Sequence, residues 1–278
     1  MQAIQKSDTE YSFRANSDEN LLSEVDSVHC VLFPKTLLVA GFDKSGSLLT
    51  AHYNRAGDEI SEWDTEFFEQ DFINEKLLGV PQQVKAIFIG TEKSLIVPGE
   101  IYQSEAAEEW LARMFTLRPD SVFYNYFLKG IDSQYTFVVP PDINKLVQRY
   151  FGNPKILPAA AFHFQKSFLR NSSQIQLLIT KDKAVATLMR NGQLFWHRHF
   201  AFQLAEDLAF FLANVLREFN LDLASTDVEC CMMCENCEDL GLELERYFPK
   251  FRWTRALNAA RANEHLVFFA ERLFSCVL

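Results

Sequence analysis

QIQLLITKDKAVATLMRNGQLFWHRHF, residues 174–200, decides how this chain folds. It holds three β-prone runs, QIQLLIT, KAVATLMR and QLFWHRHF, separated by Lys181-Asp182 and Asn191-Gly192. Asn-Gly is a strong hairpin signal because both residues tolerate positive φ, so the stretch reads as an antiparallel meander. An amphipathic helix over 205–221 follows, then VECCMMC at 228–234. The first part of the chain repeats this layout. VHCVLF (28–33), TLLVAGFD (36–43) and SLLTAHYN (47–54) form a meander, DTEFFEQDFINEKLLGV (64–80) a helix, and VKAIFIG (84–90) a strand apolar on both faces. In that helix Phe67, Phe68, Ile73, Leu77 and Leu78 share a face, and Asp64 or Thr65 can cap the start. Phe33 corresponds to Thr180 and Val84 to Val228 at a nearly constant offset, which points to an internal duplication.

The halves then diverge. The first continues with a helix over 100–117, strands at 121–130 and 135–141, a helix at 142–152 and a strand at 155–165. The second continues with a helix at 240–248, a strand at 251–256 and an amphipathic segment at 264–276. The expected organisation is an α/β chain with a mobile N-terminal extension (1–24), a first half with an insertion (25–170) and a second half (171–278). A polar hinge is expected near 167–174.

The chain has 278 residues, 48% of them hydrophobic, including 26 phenylalanines, so it can bury a substantial core. Its formal charge of −10 comes without a long basic run, which argues against nucleic acid or an anionic membrane as partner. The N-terminus carries acids early and lacks the apolar run of a signal peptide, and no window approaches a membrane span. A cytoplasmic protein with reduced cysteines is expected.

Four of six cysteines crowd into VECCMMCENC (228–237). Cys231, Cys234 and Cys237 echo a cluster-binding spacing, but Gly241 stands where a fourth ligand belongs, and zinc ribbons need a second Cys-x-x-Cys pair. In a strand Cys231 and Cys234 face opposite ways. A core strand is the expected reading, with a cysteine-ligated metal or redox site as the alternative. His197 and His199 have the i, i+2 spacing of some metal sites, yet Arg198 lies between them and no third ligand is near, so a partly aromatic, exposed strand face is expected. His163 sits in an apparent strand without an assignable partner.

LIVPGEIYQSEAAEEWLARMF (95–115) and RNGQLFWHRHFAFQLAEDLAFFLANVLREFNL (190–221) resemble an uncharacterised Bacteroidetes family, a domain of unknown function assigned the actin-like ATPase fold, which is a duplicated ribonuclease H-like fold. The resemblance implies two related halves and carries no biochemical role. Active members of that superfamily bind ATP and Mg through a glycine-containing Asp-x-Gly turn between the first two strands of each half. The corresponding turns here, FPKT (33–36) and TKDK (180–183), hold no glycine, and Asp182 is their only carboxylate. The adenosine side also lacks a glycine before Gly241. Gly46, in GFDKSGS (41–47), reads instead as a hairpin residue of positive φ. The leading expectation is therefore a non-catalytic, two-lobed binding or scaffolding protein with a degenerate nucleotide site and a protein partner. The alternative is an ATPase or phosphotransferase with an altered cleft, using Lys35, Asp182 and Lys183 as phosphate-binding charges. A homodimer is compatible with the sequence, although no stripe legible in it specifies one.

Overall fold

The computed structural model describes residues 9–14, 21–165, 172–233, 237–253 and 264–277. The chain divides into two compact units. The first takes in residues up to Phe127, Ser133–Ala159 and Leu273–Leu278; the second takes in Leu128–Asp132 and Ala160–Arg272. The change thus falls between Ala159 and Ala160, while most of the expected hinge lies outside the described residues.

In the first unit, β1 (Thr9–Arg14) and the short α1 (Leu21–Glu24) precede the meander of β2 (Ser27–Phe33), β3 (Thr36–Phe42) and β4 (Leu48–Arg55). The stretch set apart as an extension over 1–24 thus contains a strand, which pairs antiparallel with β4. Helix α2 (Thr65–Asn74) leads to β5 (Val84–Ile89), which lies parallel to β2. Then come β6 (Ser94–Pro98), α3 (Ser104–Met114), β7 (Val122–Leu128), β8 (Ser133–Val139), α4 (Pro141–Phe151) and β9 (Lys155–Pro158). The main sheet runs β1-β4-β3-β2-β5-β9, and the insertion forms a separate sheet, β6-β8-β7. All seven residues of β2 and of β3 are buried, as expected of central strands covered on both faces.

Two local expectations need correction. Helix α2 stops at Asn74, because Glu75 turns extended and its carboxylate accepts the Leu77 amide at 2.9 Å to start a 3-10 turn. Ile73 is consequently 64% exposed, and Phe68 and Phe72 supply the buried face. Asp64 caps the helix as expected, accepting from the Phe67 amide at 2.9 Å. The expected strand over 155–165 ends at Pro158, which pairs with Ile89, the last residue of β5. With no partner strand left, Ala159–Phe164 winds into a 3-10 helix that carries His163.

The second unit repeats the plan with β10 (Ser173–Ile179), β11 (Lys183–Arg190), β12 (Gln193–Ala201), α5 (Ala205–Glu218), β13 (Asp227–Met232), α6 (Cys237–Tyr247), β14 (Phe251–Trp253) and α7 (Glu264–Phe274), whose last two residues, Leu273 and Phe274, belong to the first unit. Its sheet runs β12-β11-β10-β13-β14, with β13 parallel to β10. Asn191 and Gly192 take φ of 52° and 75° in the β11–β12 turn. One face carries Ile175, Leu177, Ala186, Leu188, Cys230 and Met232 against Leu208, Leu212 and Leu216 of α5. Asp207 accepts from the Gln203 and Leu204 amides at 3.0 Å each, fixing where α5 begins.

Gly46 has φ of 82° in the β3–β4 turn, and a Cβ there would fall 2.4 Å from the Phe274 ring. That ring also stacks on His29 at 5.3 Å and lies 4.7 Å from Phe42. Gly46→Ala should therefore lower unfolding free energy by about 1–3 kcal/mol, combining left-handed strain with overpacking, as read by urea denaturation.

Candidate functional site

The β2–β3 turn of the first unit is a two-residue connection, Pro34-Lys35. Lys35 adopts φ of 63°, the left-handed region that favours glycine, so the turn has the backbone of a glycine turn with a lysine in the special position. The Lys35 ammonium donates to the Asp58 carbonyl at 2.7 Å, and its carbonyl accepts from the Ala56 amide at 2.8 Å. Asp58 is in turn paired with Arg55. Preceding the turn, Phe33 is buried and its ring lies 2.1 Å from where a Cβ on Gly90 would stand. The bare backbone at the carboxyl end of β5 is thus covered by an aromatic ring of the same unit.

In the second unit, the β10–β11 turn is closed from within. The Thr180 amide donates to the Lys183 carbonyl at 2.8 Å, and the Thr180 hydroxyl donates to the same oxygen at 3.1 Å. The Asp182 carbonyl accepts from the Phe202 amide at 2.9 Å, while Lys181 and Asp182 are exposed. Asp182 and Lys183 are thus neighbours at one turn, and Lys35 belongs to the other unit. Further along this unit, Gly241 lies within α6, and a Cβ on it would fall 1.0 Å from Cζ2 of Trp253. The indole rests on bare helix backbone and is held by its N–H, which donates to Glu245 at 2.8 Å.

Cys230 and Cys231 lie in β13 opposite Leu177 and Leu178 and are both buried. Burial, then Cys231 and Glu229, push the Cys230 thiol well up, which keeps it protonated and unreactive. Cys234 lies outside the described residues, as does the side chain of Cys237, which opens α6. Among the described residues no three His, Cys, Asp or Glu side chains converge as a metal ion would require.

The histidines make a different arrangement from the one expected. His197 and His199 are partly buried, with ring centroids 5.4 Å apart. His197 sits across the β11–β12 ladder from Thr187, and its Nδ1 lies 2.8 Å from the Thr187 hydroxyl. The same hydroxyl lies 2.9 Å from Nδ1 of His163, whose residue is fully buried and whose Nε2 has no hydrogen-bond partner. A threonine hydroxyl carries one proton, so at least one of these imidazoles must donate to it. Nearby, Arg272 pairs with Glu229 at 2.7 Å, both largely buried. Sequence inspection missed this layer because His163 and Thr187 are separated along the chain and meet only once the 3-10 segment crosses the strands.

Burial, then Arg272 and His199, lower the His163 pKa to about 3. Burial and Lys183 lower His199 to about 4, and burial alone lowers His29 of the first unit to about 4. His197 is pushed well down by burial and by its two histidine neighbours. These rings are neutral in the folded chain, whereas in the unfolded chain they titrate near 6.5. Between those values only the unfolded state gains protons, so the contribution is whole above pH 6.5 and is lost as pH falls towards 4. Unfolding free energy should drop by about 1.4 kcal/mol per pH unit for each such ring. Urea titrations at pH 7.5, 6 and 5 check this, and His163→Gln should flatten the slope by one ring's share.

A protein from Bacteroides thetaiotaomicron VPI-5482, described as having an actin-like ATPase fold and unknown function, matches with a TM-score of 0.68 at 15% identity. The match covers 86% of this chain and 94% of that one. A PilM-PilN type IV pilus biogenesis complex matches with a TM-score of 0.61 at 12% identity, over 91% of this chain and 98% of that one. The fold is the actin-like ATPase fold, two ribonuclease H-like halves in one chain. No curated protein matches the chain. No helix among the described residues is long and apolar enough to cross a membrane. Residues 37–251 match the family described as "Protein of unknown function (DUF3822)", and the chain belongs to that family.

Proposed function

We propose that this protein is a non-catalytic, actin-like binding or scaffolding component whose nucleotide site is degenerate. The observation that carries this reading is that bare backbone at two glycines is taken up by the chain's own aromatic rings: Phe33 over Gly90, and Trp253 over Gly241. Phosphate and nucleoside recognition in this fold needs such backbone to be open, because amides must approach the ligand closely. The turns add to the argument. Lys35 stands in a left-handed position, Pro34 has no amide to donate, and the Thr180 hydroxyl is spent on its own turn. With chemistry set aside, what remains is a binding role. The PilM-PilN complex provides a precedent for a protein of this fold holding a protein partner.

Calorimetry with Mg-ATP on the purified chain, with ADP and GTP as controls, tests the reading. No heat at millimolar nucleotide is expected. Binding tighter than about 100 μM, roughly −5.5 kcal/mol, would revive the altered-cleft alternative built on Lys35, Asp182 and Lys183. The turn itself offers a second check. Lys35→Gly should change unfolding free energy by less than about 1 kcal/mol, relief of left-handed strain being offset by the lost Asp58 hydrogen bond and the added chain entropy, without creating nucleotide affinity.

A further inference from the structure

Helix α5 leaves one face uncovered. Leu204, just before it, is 62% exposed, Phe210 66% and Phe211 45%. The face lies at the margin of the second unit, since Phe211 packs on Phe200 of β12 at 5.3 Å and β12 is the outermost strand of its sheet. At the other end Phe219 meets Phe195 at 6.0 Å, and Phe195 is itself 40% exposed.

The order of residues along this face identifies what covers it. Glu206, Phe210, Ala213 and Arg217 are all exposed and follow the i, i+4, i+7, i+11 spacing of a single helical stripe. Laid antiparallel against a copy of itself, with the centre between Phe211 and Leu212, the stripe matches at every position. Phe210 meets Ala213 of the copy, a large side chain against a small one. Glu206 meets Arg217 of the copy, opposite charges about 16 Å apart along the axis within each helix. The Arg217 guanidinium is already held on the stripe by the Asn214 side chain at 2.8 Å. One centre of symmetry thus satisfies size and charge together, as an isologous interface requires.

We infer that the chain forms a twofold-symmetric homodimer through antiparallel contact of α5 with α5 of a second copy. This goes beyond the nucleotide question and does not depend on it. The pair presents two equivalent Glu206–Arg217 bridges at the rim and the two Phe210 rings, each against Ala213 of the other copy, at the core, the layout of a small interface with a buried aromatic centre. The chain's net charge of −10 opposes self-association, but the stripe itself carries one acid and one base and is locally neutral.

Sedimentation equilibrium of the full chain over 1–300 μM tests this, with circular dichroism confirming that each variant folds. The wild-type chain should sediment as a dimer. Phe210→Asp should weaken the dimer on the order of a hundredfold, since it buries a carboxylate at the centre. Arg217→Glu should weaken it about tenfold by turning two attractions into two repulsions. Adding Glu206→Arg to that variant should restore the affinity, because the reversed pairs match again; a merely structural role for either residue would not give this rescue. A wild-type monomer at 300 μM would overturn the proposal and leave the face for a different protein. A dimer unmoved by Phe210→Asp and by charge reversal would overturn it too, placing the contact elsewhere.

Discussion

The parallel pairing of β10 with β13 is the constraint on which the second unit depends, as β2 with β5 is for the first. Parallel neighbours cannot be joined by a tight turn, so the chain must leave the sheet and return across one of its faces. Helix α5 is that crossing, and α2 is its counterpart. Its inner side then has to be apolar at Leu208, Leu212 and Leu216, because the strands beneath present Leu177, Ala186 and Cys230. The outer side is set by no such demand, and that freedom is where Phe210, Phe211 and the Glu206–Arg217 spacing become informative.

The opposite face of the same sheet follows from a different consequence of the pleat. Side chains alternate, so a strand with Leu188 and Ala186 towards α5 must send Thr187 the other way. There the sheet meets the 3-10 segment carrying His163, and the polar groups bond to one another: His163 and His197 share one hydroxyl, and Glu229 takes Arg272. A buried layer of this kind is costly if incomplete and selective if complete, because a slip in register by one residue would strand every member of it.

Much of this was legible in the sequence. Both meanders, the Asn191-Gly192 turn, the central strand at 84–89 and the strand character of the cysteine run come from period and turn chemistry, which act over a few residues. The family resemblance supplied the fold as a whole. What escaped were features set by distant partners. The end of α2 at Asn74 depends on Glu75 finding a new amide to cap, not on apolar spacing, which continues unbroken through Leu78. The strand at 155–165 is cut short because β5 runs out, which nothing in residues 159–164 reveals. For the candidate site, the absence of glycine in the two turns was readable, but the left-handed backbone of Lys35 and the rings over Gly90 and Gly241 were not. Phe33 and Trp253 look like ordinary core aromatics until their neighbours are known.

Trp253 has one further consequence. Its indole lies on the open side of Gly241 and is fastened by Glu245, so it behaves as a resident occupant of that surface. Any molecule approaching the same helix backbone competes with it and must first populate a state in which the ring has swung away. Each 1.4 kcal/mol that favours the seated ring weakens the apparent affinity of the newcomer about tenfold, however well the newcomer fits. The packing of this one side chain would therefore weigh on the affinity of any newcomer at this position as much as the contacts the newcomer made.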